Sequence, residues 1–298
     1  MNLAWLVLLI PLFLLGGLVA AQAFYRRKSR LPMWRAFATF ARERGLTVRE
    51  CVTSPYGLPE LYGHVSDRPI DIRTAEGRSA VPVRTVISVS QRIRMTGDVY
   101  FLRGTTTAWT LGSPGWTQKW LGGSRKEDQI RFTGKERKEV NRLVHLATNG
   151  ILDEFLRVVR ADSFYAGAIR DNRIDVQLAG IQTDSRTIEA VVRDLVALAA
   201  SLESHARRDD LRGALPEVVP KKPLFGRRAS DTGIMAFVLV MAAVLSILPF
   251  IGGGSLEAFA LAWAMSGLLA LLSISRIAAS RLGPEEKGIL AEFAPHAA

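Results

Sequence analysis

The chain has 298 residues, a formal net charge of +11, 48% hydrophobic residues and a mean hydropathy of +0.14. That length holds one or two domains with a real core. Cys51 is the only cysteine, which excludes a disulfide framework and a cysteine-based zinc site.

Charge is placed unevenly. No Lys or Arg precedes Arg26, whereas residues 26–230 hold 36 basic and 23 acidic side chains, a net +13. Such a balance suits anionic lipid, nucleic acid or an acidic protein partner. It is also the balance that cytoplasmic segments of inner-membrane proteins carry.

Leu3 to Phe24 is apolar and uncharged, and about 20 such residues span a hydrocarbon core. Ala21-Gln22-Ala23 resembles a signal-peptidase site. Signal-peptide cores are shorter, roughly 7–15 residues, and follow a basic segment. "MNLAW" has no basic side chain, so residues 1–25 read as an uncleaved transmembrane anchor. Arg26, Arg27, Lys28 and Arg30 follow it.

Residues 26–211 read as a basic α+β domain, a mostly antiparallel sheet with packed helices. Met33 to Arg44 is an amphipathic helix with Trp34, Phe37, Phe40 and Ala41 on one face and Gly45 as its stop. "LYGHV" and "PIDIRTA" form a hairpin through Ser66-Asp67-Arg68. "VPVRTVISVSQRIR" alternates strictly, which predicts one buried face (Val83, Thr85, Ile87, Val89) and one wet face. "VYFLRG" and "TAWTLG" extend the sheet. Trp116 and Trp120 are spaced one helical turn apart around Lys119.

The second half turns helical. Glu136 to Thr148 has Val140, Leu143, Val144 and Ala147 on one side and Asn149-Gly150 as a stop; Ile151 to Val159 is a second short helix. "SFYAGAIR" and "RIDVQLAGI" flank a hairpin at Asp171-Asn172. Asp184 caps a longer helix with a buried stripe at Ile188, Val191, Val192, Leu195, Leu198, Ala199 and Leu202. Residues 212–232, with Pro216, Pro220 and Pro223, form a linker carrying Lys221, Lys222, Arg227 and Arg228.

Residues 233–275 read as a transmembrane helical hairpin, Gly233 to Ile251 and Leu256 to Ser275, joined by "GGGS". Ala258, Ala262, Ser266 and Ala270 recur every four residues and offer a small-residue face for helix packing or self-association. Residues 276–298 form a tail with Arg276 and Arg281. Cations flank one end of all three spans, so the positive-inside rule places the N-terminus outside and residues 26–232 and the tail in the cytoplasm.

The stretches "GHVSDRPIDIRT" and "NGILDEFLRVVRADSFYAGAIRDNRIDVQLAGIQTD", with the long strand between them, resemble the cytoplasmic part of uncharacterised bacterial membrane-anchored proteins. The resemblance covers roughly residues 46–205. It implies the α+β fold and carries no activity and no site residues.

Chemistry is sparse. His64, His145, His205 and His296 are scattered without a second ligand at helical spacing, and no zinc spacing exists. Nucleotide-binding and hydrolase signatures are missing, so no catalytic residue, metal or cofactor is assigned. Asp71, Asp171 and Asp175 fall on hairpins, where turns and a solvated face account for them. Arg84, Arg92 and Arg94 share one strand face, with Arg73 on the neighbour, and could contact an anion or lipid headgroup together with the flanking cations at 26–30 and 221–228.

The sequence therefore reads as an integral inner-membrane protein that presents a basic cytoplasmic domain to a protein partner or to anionic lipid. An enzyme acting on a membrane-proximal anionic substrate is the alternative, and nucleic-acid binding ranks last because aromatic interleaving is poor.

Overall fold

The structure is a computed structural model that describes residues 28, 30–50, 58–75, 84–106, 116–216, 266 and 283–293. The chain divides into two compact units. One comprises Met1–Leu31, Val52–Leu58 and Lys221–Gly288; the other comprises Pro32–Cys51, Pro59–Pro220 and Ile289–Ala298. In the first, Arg30 is buried and donates to Glu286 at 2.7 Å, and Glu286 also accepts from the Gly283 N–H.

The second unit is built on a nine-stranded antiparallel sheet. Its strands are β1 (Thr47–Glu50), β2 (Pro59–Val65), β3 (Arg68–Ala75), β4 (Arg84–Ser90), β5 (Val99–Arg103), β6 (Thr117–Gly122), β7 (Gln129–Gly134), β8 (Phe164–Arg170) and β9 (Arg173–Ala179). They lie in the order β1-β2-β3-β4-β9-β8-β5-β7-β6. The helices are α1 (residues 30–44), α2 (Arg137–Leu146), α3 (Leu152–Val159), α4 (Ser185–His205) and α5 (Pro284–Glu292).

Local chemistry sets the elements. β2 and β3 join through Ser66 and Asp67, both at positive φ (50° and 60°), the backbone that a two-residue hairpin turn with the right twist demands. Asp184 accepts from the N–H groups of Arg186 and Thr187 and so starts α4. Asn149-Gly150 is the stop: Asn149 (φ −90°, ψ 22°) and Gly150 (φ 129°, ψ −1°) leave the helical conformation, and α3 begins after this kink.

One sheet face receives the helices. Along it run Ile70 and Ile72 of β3, Ile87 and Val89 of β4, Ile174 and Val176 of β9, Phe101 of β5 and Phe132 of β7, all buried. Phe155 of α3 meets Phe101 and Phe132 edge-on at 5.3 and 5.1 Å between centroids. Phe101 lies opposite Gly167, where a Cβ would fall inside its ring. On the N-terminal side, Met33, Trp34, Phe37 and Phe40 of α1 are buried, and Met33 Sδ accepts from Thr74 on β3.

Several expectations are revised. The strand in "VPVRTVISVSQRIR" is shorter than its alternation, ending at Ser90, because Ile93 turns off to bridge Leu211. Its second face is not wet: Val86, Ser88 and Ser90 are buried too. Trp116 and Trp120 are not on a helix. Trp120 lies in β6, paired to β7, a strand that the periodicity did not single out. "TAWTLG" lies outside the described residues.

The membrane architecture is corrected. Among the described residues, no helix is long and apolar enough to cross a membrane. α4, the longest helix among the described residues at 21 residues, buries an apolar stripe and turns Arg186, Arg193 and other charged side chains outward, a sheet-covering helix rather than a spanning one. The expected spans 3–24, 233–251 and 256–275 lie outside the described residues, apart from Ser266, which is helical and buried. With that finding, the assignment to the inner membrane with the N-terminus outside is withdrawn. So is the reading as an integral membrane protein displaying a cytoplasmic domain.

Candidate functional site

The other sheet face is polar and largely buried. Strand register lays out one row across it: Tyr62, Asp71, Ser88, Asp175, Ala168, Tyr100, Thr133, Gln118. At its centre Ser88 is 0% exposed, and Asp71 and Asp175, its neighbours on either side, are each 4% exposed. Ile70-Asp71-Ile72 and Ile174-Asp175-Val176 flank Ile87-Ser88-Val89 in register. The isoleucines and valines face the helices, so each strand must send its middle residue to this face.

Two ionic clusters stand on either side of Ser88. Asp71 is ion-paired to Arg73 at 3.2 Å, and Glu60 to Arg49 at 3.0 Å. Burial pushes the Asp71 carboxyl up to about 7; Arg73 pulls it down, while the charge of Glu60 and a hydrogen bond between the two carboxyls push it up again. Asp71 therefore keeps its proton to near neutral pH. On the far side Asp175 lies between Arg170 and Arg173, each at 3.2 Å, and Arg170 also reaches Asp98 at 3.5 Å. Burial, with Asp98 beside it, raises the Tyr100 hydroxyl.

Arg84 and Arg131 complete the face. Arg84 stacks on Tyr165 at 3.7 Å and donates to Gln177. Arg131 lies over Trp120 at 5.2 Å and donates to the Thr106 carbonyl. Among the described residues neither has a carboxylate partner, and burial lowers the pKa of both. Between them and the Arg170–Arg173 corner the side chains are small: Ser88, Ala166 and Ala168.

This face also collects unsatisfied polar atoms. Ser88 Oγ, Thr133 Oγ1 and the Nε atoms of Arg84 and Arg131 are buried without a hydrogen-bond partner among the described residues, whereas Arg170 Nε, Arg173 Nε and Asp175 Oδ1 are taken up in the ion pairs above. Such atoms each cost roughly 1–3 kcal/mol, so their concentration on one surface is informative.

The residues expected from sequence do not gather as predicted. Arg84 lies on the polar face, but Arg92 and Arg94 fall beyond the end of β4, where the chain has turned off to bridge Leu211. Arg92 uses its backbone N–H on Glu203, which also holds Arg68. Arg73 is committed to Asp71. Lys28 is exposed and Arg30 is buried against Glu286. Arg26, Arg27, Lys221, Lys222, Arg227, Arg228, Ala258, Ala262 and Ala270 lie outside the described residues.

Asp71 and Asp175, read as turn or solvated residues, are instead buried mid-strand. The repeated Ile-Asp-(Ile/Val) triplet around a small-residue strand was the signal for them. Asp171 does serve a turn. Burial works against its charge, yet the Met95 N–H and Arg212 hold its carboxyl low. Among the described residues there is no group of three His, Cys, Asp or Glu suited to a metal.

Fold and site define an antiparallel α+β protein with a buried polar sheet face. No family model and no curated protein match the chain. Among solved structures, the crystal structure of the mycobacterial trehalose monomycolate transport factor A, TtfA, is similar over 57% of this chain and 94% of that one, at 12% identity and a TM-score of 0.39. Likeness at that level supports no argument about this chain.

Proposed function

We propose that the polar sheet face is a binding surface for an organic anion, with Arg84 and Arg131 as its charged contacts. The observation that carries this reading is that both guanidiniums are part-buried with no carboxylate partner among the described residues, and that the Nε of each is left without a hydrogen bond. The charges agree with it. Arg170 and Arg173 are balanced by Asp98 and Asp175, and Arg49 and Arg73 by Glu60 and Asp71, so Arg84 and Arg131 are surplus positive charge. Guanidiniums in a partly desolvated site favour carboxylate and phosphate groups.

Citrate and inorganic phosphate serve as carboxylate and phosphate probes in thermal unfolding. A ligand at 100 times its Kd stabilises by about 2.7 kcal/mol. At least one probe should raise the melting temperature saturably, and Arg84→Gln or Arg131→Gln should weaken that response at least fivefold. If neither probe stabilises more than sodium chloride at equal ionic strength, the reading fails.

A further inference from the structure

β6 closes one end of the sheet, and among the described residues no strand pairs with its outer side. Gln118, Lys119 and Trp120 in its middle are exposed. Trp120, at 48%, is the one large hydrophobic side chain exposed among the described residues. Edge strands that must stay single carry charge and avoid apolar surface. Here Lys119 meets the first condition, and Trp120 breaks the second.

The surroundings are cationic at both ends of the strand. Arg125 and Lys126 are exposed in the turn after Gly122, and Lys135 and Lys138 are exposed beyond Gly134, which pairs with Thr117. Residues 116–142 carry eight basic and four acidic side chains. Of the acids, Asp128 is paired with Arg160 and Glu139 with Arg142.

From this edge we infer a docking site for an extended acidic segment of another polypeptide, which adds to the sheet as a tenth strand beside β6. Backbone N–H and C=O groups along the edge supply register, Trp120 covers an apolar side chain of the segment, and the flanking cations take its carboxylates. A second copy of this chain is the poorer occupant, because pairing β6 with β6 brings the same cations together.

The test uses the full chain and a fluorescein-labelled eight-residue peptide of alternating Glu and Val, read by anisotropy. The peptide should bind, and raising salt from 50 to 500 mM should weaken it at least fivefold. Trp120→Ala and Lys119→Glu should each weaken it at least fivefold with the circular dichroism spectrum unchanged. A peptide N-methylated throughout, and one with Lys for Glu, should not bind. If Trp120→Ala perturbs the fold, Lys119→Glu and the two control peptides still decide. The inference is overturned if the parent peptide fails to bind, if either control binds equally well, or if the variants bind as the unaltered chain does. A dimer abolished by Trp120→Glu would also overturn it, in favour of self-assembly.

Discussion

Replacing Asp71 by Asn removes a charge that the fold holds at a cost. Burial raises the carboxyl from its ordinary 3.8 to about 7, so the native state keeps a proton that the unfolded chain releases above pH 4. The associated stability is fully present below about pH 4. It is lost progressively as pH rises, and is gone above about pH 7. At 1.36 kcal/mol per tenfold, the whole effect is about 4 kcal/mol, and the part falling between pH 5 and pH 8 is about 2–3 kcal/mol. Asn presents a neutral, hydrogen-bonding group of the same size at every pH. Urea unfolding of the unaltered chain and of Asp71→Asn at pH 5 and pH 8 compares the buried carboxyl with a neutral group in the same place. The variant should gain on the unaltered chain by about 2–3 kcal/mol from pH 5 to pH 8. If the two change in parallel, or if the variant loses ground at pH 8, Asp71 is ionised in the native state and the argument from burial is wrong.

Phe155→Ala removes the ring wedged between Phe101 and Phe132 and should cost about 3–5 kcal/mol in chemical denaturation. Gly167→Ala drives a methyl group into the Phe101 ring and should cost about 1–3 kcal/mol; pairing it with Phe101→Leu should recover part of that loss. Gly150→Ala forces a side chain to φ 129° at the kink between α2 and α3 and should destabilise by about 1–3 kcal/mol, with faster amide exchange in α2 and α3 by NMR.

Much of the fold was legible because one rule applied locally. Alternation in "PIDIRTA" and "RIDVQLA", the Ser66-Asp67 turn and the Asp184 cap each depend on neighbours a few residues away. The site was not legible, because Asp71 and Asp175 meet across Ser88 only through the pairing of β4 with β9, strands far apart in the chain. Alternation says which residues share a face, not whether that face is covered, so Ser88 and Ser90 were assigned to solvent. β6 and β7 lacked a clean period: Gln118 and Lys119 are polar neighbours on an exposed edge, and buried Arg131 interrupts the pattern of "QIRFTG". Charge counting along the chain grouped Arg84 with Arg92 and Arg94 because it assumed the strand ran on. The membrane reading rested on apolar runs and flanking cations, and among the described residues no helix answers to it.

Strand order also governs assembly during synthesis. β2, β3 and β4 form a meander from adjacent sequence, and β6 and β7 a hairpin, yet β4 and β5 are not neighbours. β8 and β9 lie between them, pairing with β5 on one side and β4 on the other. Until that late hairpin has left the ribosome, two half-sheets each expose an open edge, rich in isoleucine and valine on the β4 side. The hairpin is a keystone: sealing two long-range seams at once makes closure slow and cooperative. The interval before Phe164–Ala179 arrives is when the nascent chain is most prone to pair with the wrong strand.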